Sequence, residues 1–181
     1  MERDECLDLV LENCGNKNLI KHMLATEAVM AALARELGED EKAWAVAGLV
    51  HDLDYDETVD SPERHGLVSA EMLEERGYPE DIIHAVKAHN EHAPRESAID
   101  RALYASDPVT GLIVAAALMH PTKSLAGLDT EFVLRRFGEK RFAAGASRDQ
   151  IANCSELGLE LERFIGIALG AMQGISDDLG L

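Results

Sequence analysis

The chain is poor in several things that anchor small folds, and each shortage narrows what it can be. Aromatic residues make up 4% of 181 positions, with four Phe, three Tyr and one Trp. A core so short of rings must rest on Leu, Ile, Val, Ala and Met, which suits packed helices better than a β-sandwich. Cysteines number three, Cys6, Cys14 and Cys154. An odd set without ligand spacing argues against a disulfide framework or a thiolate metal site and predicts a reduced, cytoplasmic chain. Positive charge is scarce as well: 17 Lys and Arg face 34 Asp and Glu, a formal net charge of −17. That field repels phosphate backbones and anionic lipid, so neither a nucleic-acid polymer nor a membrane is an expected partner. The longest unbroken apolar run, Gly111 to Met119, is too short to cross a bilayer. The start, Met1-Glu2-Arg3-Asp4-Glu5, has no apolar segment of the secretory kind.

What is present is a run of helical segments. The length suits one domain over 1–181 with a sizeable core. Breakers at Cys14-Gly15-Asn16, Gly38, Ser61-Pro62, Gly77-Tyr78-Pro79, Pro94, Pro108, Pro121, Gly127, Gly138 and Gly145 separate segments with helical period. The predicted helices lie near 3–13, 17–37, 40–53, 63–76, 80–92, 97–107, 109–119, 130–137, 148–157 and 159–177. The fold class is therefore all-α. In the last helix Leu157, Leu161, Phe164, Ala168, Met172 and Ile175 form a stripe that reads as core; a seam between copies, and so a homo-oligomer, is the other use for it.

The informative residues are polar ones on apolar faces, because a buried polar group needs a partner and a buried charge needs a counter-charge or a metal. His22 shares a face with Leu19, Met23, Thr26, Val29, Met30 and Leu33. Ala43 to Val50 is wholly non-polar, holds Trp44, and ends at once in His51-Asp52. His65 aligns with Val68, Ser69 and Met72 just inside its predicted helix, and His89 follows Ile82, Ala85 and Val86. His84 falls on the polar side of that helix and reads as solvated. Asp107 extends the stripe Ile99, Leu103 and ends its helix against Pro108. Each has an ordinary reading alone: a core histidine, a helix-end pair, a terminator before proline. Together, four histidines and two aspartates face inward from five successive helices, and a mixed N/O set suits one convergent site for Mn, Fe, Zn, Co, Ni or Mg.

A His on one helix, His-Asp closing a later one and a distant Asp resembles the H…HD…D signature of the HD-domain superfamily, matched by His22, His51, Asp52 and Asp107. His51-Asp52-Leu53-Asp54-Tyr55-Asp56, His65-Gly66-Leu67-Val68-Ser69-Ala70, Lys87-Ala88-His89-Asn90-Glu91 and Ser106-Asp107-Pro108-Val109-Thr110-Gly111-Leu112 look like the HDIG-type bacterial branch. The resemblance covers about 17–120 and leaves an extension over 121–181. It implies a compact HD bundle and one or two divalent metal ions, with His65 and His89 holding the second ion and Asp52 bridging. Tyr55 stands where the phosphodiesterase-type branch carries Lys and where nucleotidase members often carry Glu, and Asn90 stands where that phosphodiesterase-type branch has a second His.

The activity the resemblance implies is hydrolysis of a small phosphate ester, a nucleotide among the candidates, by metal-activated water, with His51 and Asp52 at its centre. Lys87, Lys123 and Arg148 are the candidate phosphate clamps, with solvated helix-face charge as the plain alternative. Asp54 or Asp56 can relay a proton or cap a turn. Two further readings share the same ligand set: a two-iron oxygenase similar to myo-inositol oxygenase, and a non-catalytic nucleotide- or metal-binding module.

Overall fold

The computed structural model describes residues 2–181, and among them no strand forms. Helix α1 (Arg3–Asn13) opens on a capping box between Glu2 and Glu5. Helix α2 (Lys17–Leu37) is capped by Asn16, whose side chain accepts from the Asn18 N–H, and stops at Gly38 in the left-handed conformation. The chain reverses there, and Asp40 caps α3 (Glu41–Val50) by accepting from the Lys42 and Ala43 N–H groups. A single turn α4 (Tyr55–Thr58), α5 (Leu67–Glu75) and α6 (Glu80–His89) lead to the long α7 (Ala98–Met119). Then come α8 (Thr130–Gly138), the short α9 (Arg148–Ala152), α10 (Leu161–Gln173) and the terminal turn α11 (Ser176–Leu179).

Helices α2 and α7 are the axis of the bundle: α3, α10 and α11 pack on α2, while α6, α8 and α9 pack on α7. One contiguous apolar core runs from Cys6 to Leu179 and includes Trp44, and Phe164, Ala168 and Met172 of the last stripe are fully buried.

Two expectations are corrected. Ala98–Met119 form one helix, not two, with Pro108 inside it. A mid-helix proline costs about 3 kcal/mol through the lost N–H bond and the ring clash. Around it Leu103, Ala105, Val109, Leu112 and Ile113 are fully buried, and each large side chain so buried contributes about 1.5–3 kcal/mol. Burial wins, so Asp107 projects from mid-helix instead of ending one. This helix is also long and apolar enough to cross a membrane, but 67% of its apolar window is buried against the other helices. The second correction is the predicted helix 63–76, which splits into a 3-10 turn (Pro62–Arg64) and α5, with His65 and Gly66 between them. Gly66 has φ +84, and a Cβ there would lie 3.2 Å from the Val86 carbonyl oxygen and 3.3 Å from His89 Cε1. Only glycine satisfies both constraints.

The closest helix contact involves another glycine. A Cβ on Gly48 would lie 2.7 Å from the Thr26 carbonyl oxygen and 2.9 Å from the Glu27 nitrogen, both backbone atoms of α2. Gly48→Ala is therefore expected to force α3 off α2 and to destabilise the protein by about 1–3 kcal/mol, the cost typical of overpacking. Gly170→Ala, where a Cβ meets nothing within 4 Å, should be neutral or stabilising by about 0.5–1 kcal/mol. Thermal unfolding of the two variants side by side checks the contrast.

Candidate metal centre

Because α2 and α3 run antiparallel and touch at Thr26 and Gly48, the residue one turn before Thr26 meets the residue one turn after Gly48. These are His22 and His51, with their Nε2 atoms 3.2 Å apart. Asp107 of α7 reaches them: its Oδ1 is 3.1 Å from His22 Nε2 and 3.9 Å from His51 Nε2. A second group adjoins the first. His65 and His89 face each other with Nε2 atoms 3.3 Å apart, and Asp52 Oδ1 lies 3.3 Å from the former and 3.5 Å from the latter. Asp52 also lies 3.3 Å from His51 and 3.6 Å from His22, so it faces both groups. All six residues singled out in the sequence come together, as two triads: His22, His51 and Asp107, and Asp52, His65 and His89.

The outward side of each ring fixes what the inward side offers. His51 Nδ1 donates to the Gly48 carbonyl at 2.9 Å, and His89 Nδ1 to the Val86 carbonyl. Thr110 uses its hydroxyl proton on the Asp107 carbonyl, so the same oxygen accepts from His22 Nδ1 at 2.9 Å. His65 Nδ1 donates to Asp54 Oδ1 at 2.8 Å. With every Nδ1 engaged as a donor, the neutral rings turn four Nε2 lone pairs and two carboxylates toward one another. Acceptors so placed need protons or a cation between them, and a histidine held by an outer carbonyl or carboxylate is the usual metal-ligating arrangement. The donor set can hold a divalent metal, and its N/O composition fits the borderline and hard ions expected from the sequence.

Asp54 is the residue the sequence undervalued. Its fully buried carboxylate accepts from His65 Nδ1, from the Gly66 N–H at 2.8 Å and from the Ser69 N–H at 2.9 Å. It thus caps α5 from across the chain and aims His65 in the same act. The signal was its place two residues after the His-Asp pair; its long-range partners were not readable.

The electrostatics follow the geometry. Burial drives the His51 ring down to about 4, against the pull of Asp52. Burial also opposes protonation of His65, but its bonds to Asp52 and Asp54 outweigh that and raise it to about 10. His22 is raised, its hydrogen bond to Asp107 overcoming burial. Asp52 is held well below the ordinary carboxylate range despite burial, by His51 and by bonds from His65 and His89.

Space over the cluster is shared among three adjoining cavities. One of about 410 Å³ is lined by Asn16, Tyr55, His22, Asp52, His65 and Asp107, with the Tyr55 ring edge-on to His65 at 5.6 Å. Another of about 350 Å³ covers Asp107 and Pro108 beneath Ala143, Gly145 and Ala146. The third, beside His22 and Thr110, is taken up below. The expected phosphate clamps line none of them. Lys87 is paired with Glu74 at 2.6 Å, and Lys123 sits at positive φ in the turn after α7. The Arg148 guanidinium donates to backbone carbonyls, among them those of Phe137, Phe142, Ala143 and Ala146. His84 is corrected too: it is not simply solvated, because its Nδ1 lies 3.1 Å from the buried Asp100.

A family profile described as HD domain matches residues 19–118, a span that contains all six clustered residues. Among curated proteins the chain is similar to ribonuclease Y of Oleidesulfovibrio alaskensis, 35% identical over 98 residues, or 53% of this chain and 18% of that protein. It is 36% identical over 98 residues to ribonuclease Y of Nitratidesulfovibrio vulgaris strain DP4, again 53% and 18% of the two chains. The similarity to ribonuclease Y of Desulfotalea psychrophila is longer, 28% over 138 residues, covering 74% of this chain and 26% of that protein. The aligned region thus amounts to about a fifth to a quarter of these relatives' length.

A pH dependence of stability follows for chelator-treated protein. His51 is neutral when folded down to about pH 4 but titrates near 6.5 when unfolded. Its contribution is therefore full above 6.5 and lost as pH falls through that window. His65 titrates near 10 when folded, so its contribution is full below 6.5 and lost as pH rises toward 10. Melting temperature should peak in the region of pH 6.5. His51→Gln should flatten the acidic limb and His65→Gln the alkaline one; unfolding scans from pH 4 to 10 check both.

Proposed function

The chain belongs to the HD domain family, and from that premise we propose that it hydrolyses phosphate esters, using divalent cations held by His22, His51, Asp52, His65, His89 and Asp107. One observation carries the reading. Four histidines with their outer nitrogens committed present inner lone pairs to two carboxylates across 3.1–3.9 Å. Two triads, with Asp52 of the second also lying 3.3 Å from His51 and 3.6 Å from His22, would suit two ions held side by side. When bound, such ions lower the pKa of a coordinated water and polarise a phosphoryl oxygen. The protein's own part is to aim the ligand nitrogens inward, through Gly48, Val86, Thr110 and Asp54, and to keep the site partly closed to solvent. His65 is raised to about 10 and His22 is raised as well, so a metal held there would bind in competition with protons.

The curated relatives carry the name ribonuclease Y, and RNA is thereby a substrate to be tested. We take a small phosphate ester as the substrate instead. A net charge of −17 opposes a polyanion, and the cavities over Asp52 and Asp107 have no Lys or Arg among their described lining residues.

Purified protein with Mn, Co, Ni, Zn or Mg should hydrolyse members of a panel of phosphomonoesters, phosphodiesters and nucleotides more readily than an oligoribonucleotide. Asp52→Asn should reduce turnover to buffer background. Metal uptake at pH 7 should release protons, read by calorimetry in buffers of different ionisation enthalpy. Asp54→Asn should weaken metal binding at one of two sites by about 10–100-fold, the usual effect of losing an outer partner of a ligand histidine. Hydrolysis that survives Asp52→Asn would sink the reading. Two irons per chain with oxygen consumption, found by anaerobic metal analysis, would replace hydrolysis with oxygen chemistry.

A further inference from the structure

Between α2, α7 and the C-terminal residues lies a slot of about 460 Å³. It begins at His22 and Thr110, whose ring and hydroxyl are joined at 2.9 Å, and so starts on a member of the metal cluster itself. From there its wall is formed by Val114, Leu118, Leu179 and Leu181. Gly111 lines both this slot and the cavity over Asp107, and a Cβ there would meet nothing within 4 Å, so the two spaces adjoin across it.

The slot has two kinds of surface. Leu118 keeps 54% of its surface exposed although it is a large aliphatic residue lining the same slot as His22, and burying such surface under a ligand is favourable. Opposite stands Lys21. Its ammonium donates to the Leu179 carbonyl at 2.7 Å, which leaves two of its three donors free. Among the described residues lining the three adjoining cavities, Lys21 is the one lysine or arginine. A slot that opens on the cluster and sets one lysine charge among Ala25, Val114, Leu118, Leu179 and Leu181, with Asn18 and Thr110 as its neutral polar side chains, complements an ester with one phosphate and a largely apolar remainder. A second phosphate or a full sugar seated there would set most of its charge or hydroxyls against leucine and valine.

We propose that this slot binds the alcohol portion of the substrate, that this portion is alkyl or aryl, and that Lys21 meets the anionic charge of the ester. The inference rests on the hydrolytic reading above and names its substrate class. The slot selects; the six clustered residues act.

Two measurements test it, one free of turnover. In the first, n-hexylphosphonate and methylphosphonate are titrated into metal-loaded protein. The hexyl compound should bind at least tenfold more tightly, since each methylene buried is worth about fourfold in affinity. In the second, matched n-hexyl and glyceryl phosphate esters are compared by kcat/KM, and the hexyl ester should lead by a similar factor. Leu118→Glu should cut both ratios severalfold, while Met119→Glu, which places the same charge on the neighbouring exposed residue, should leave them as they are. Lys21→Gln should weaken binding of both phosphonates alike.

Equal affinities for the two phosphonates, or a Leu118→Glu effect no greater than that of Met119→Glu, would overturn the proposal even if every ester is hydrolysed. Phosphonates that fail to bind, together with a dimer that Leu118→Glu dissolves, would overturn it in favour of self-association. Chain-length-dependent binding without hydrolysis of any ester would uphold the slot and remove the hydrolytic reading instead.

Discussion

The centre of this molecule depends on how closely α3 approaches α2. Gly48 lies against the peptide backbone at Thr26 and Glu27, and no side chain larger than hydrogen fits there without separating the helices. The contact brings His22 and His51 into line, one turn away on either side. The same two turns fix their neighbours: the Gly48 carbonyl accepts from the His51 ring, and Thr26 donates its hydroxyl to the His22 carbonyl. Backbone packing and ligand geometry are thus one constraint, which explains why a helix as apolar as Ala43 to Val50 can end in an ionisable pair.

That pair would be costly if the charges around it were uncompensated. In the protein as described, His22 and His65, both shifted toward their protonated forms by the carboxylates of Asp107, Asp52 and Asp54, balance that negative charge, while burial keeps His51 neutral. The arrangement is poised. A divalent cation can take the place of those protons without repacking the helices, because every outer nitrogen already has its partner. The high negative charge of the chain works in the same direction, since it favours cation capture over capture of anions by surface lysines.

Much of this was legible in the residues. Helical class came from composition and period, and α1 and α2 lie where the caps and breakers put them. The six clustered residues were legible as polar groups on apolar faces, a property that survives errors in helix boundaries. What could not be read depended on distant partners. Pro108 suggested a break, and only the burial of both flanks shows why the helix continues through it. Helix period placed His65 inside a helix, whereas Gly66 and the Asp54 carboxylate hold it just before one. The place of the expected clamps, away from the three cavities, was hidden for a similar reason. A lysine or arginine in a sequence shows its charge but not where its donors go, and here Glu74 and a set of loop carbonyls take up those of Lys87 and Arg148.

Arg148 in fact shows how the two parts of the chain divide the work. Its guanidinium ties together carbonyls on both sides of the segment 137–146, including those of Ala143 and Ala146. Those alanines, with Gly145, roof the cavity over Asp107. The roof, and the Leu179 and Leu181 wall beside His22, come from residues beyond the 19–118 span that matches the family. All six clustered residues fall inside that span. The cluster thus comes from one segment, while its enclosing walls are shared between that segment and the residues after it. Loosening the roof should therefore change the space over Asp107 while leaving the six clustered residues in place.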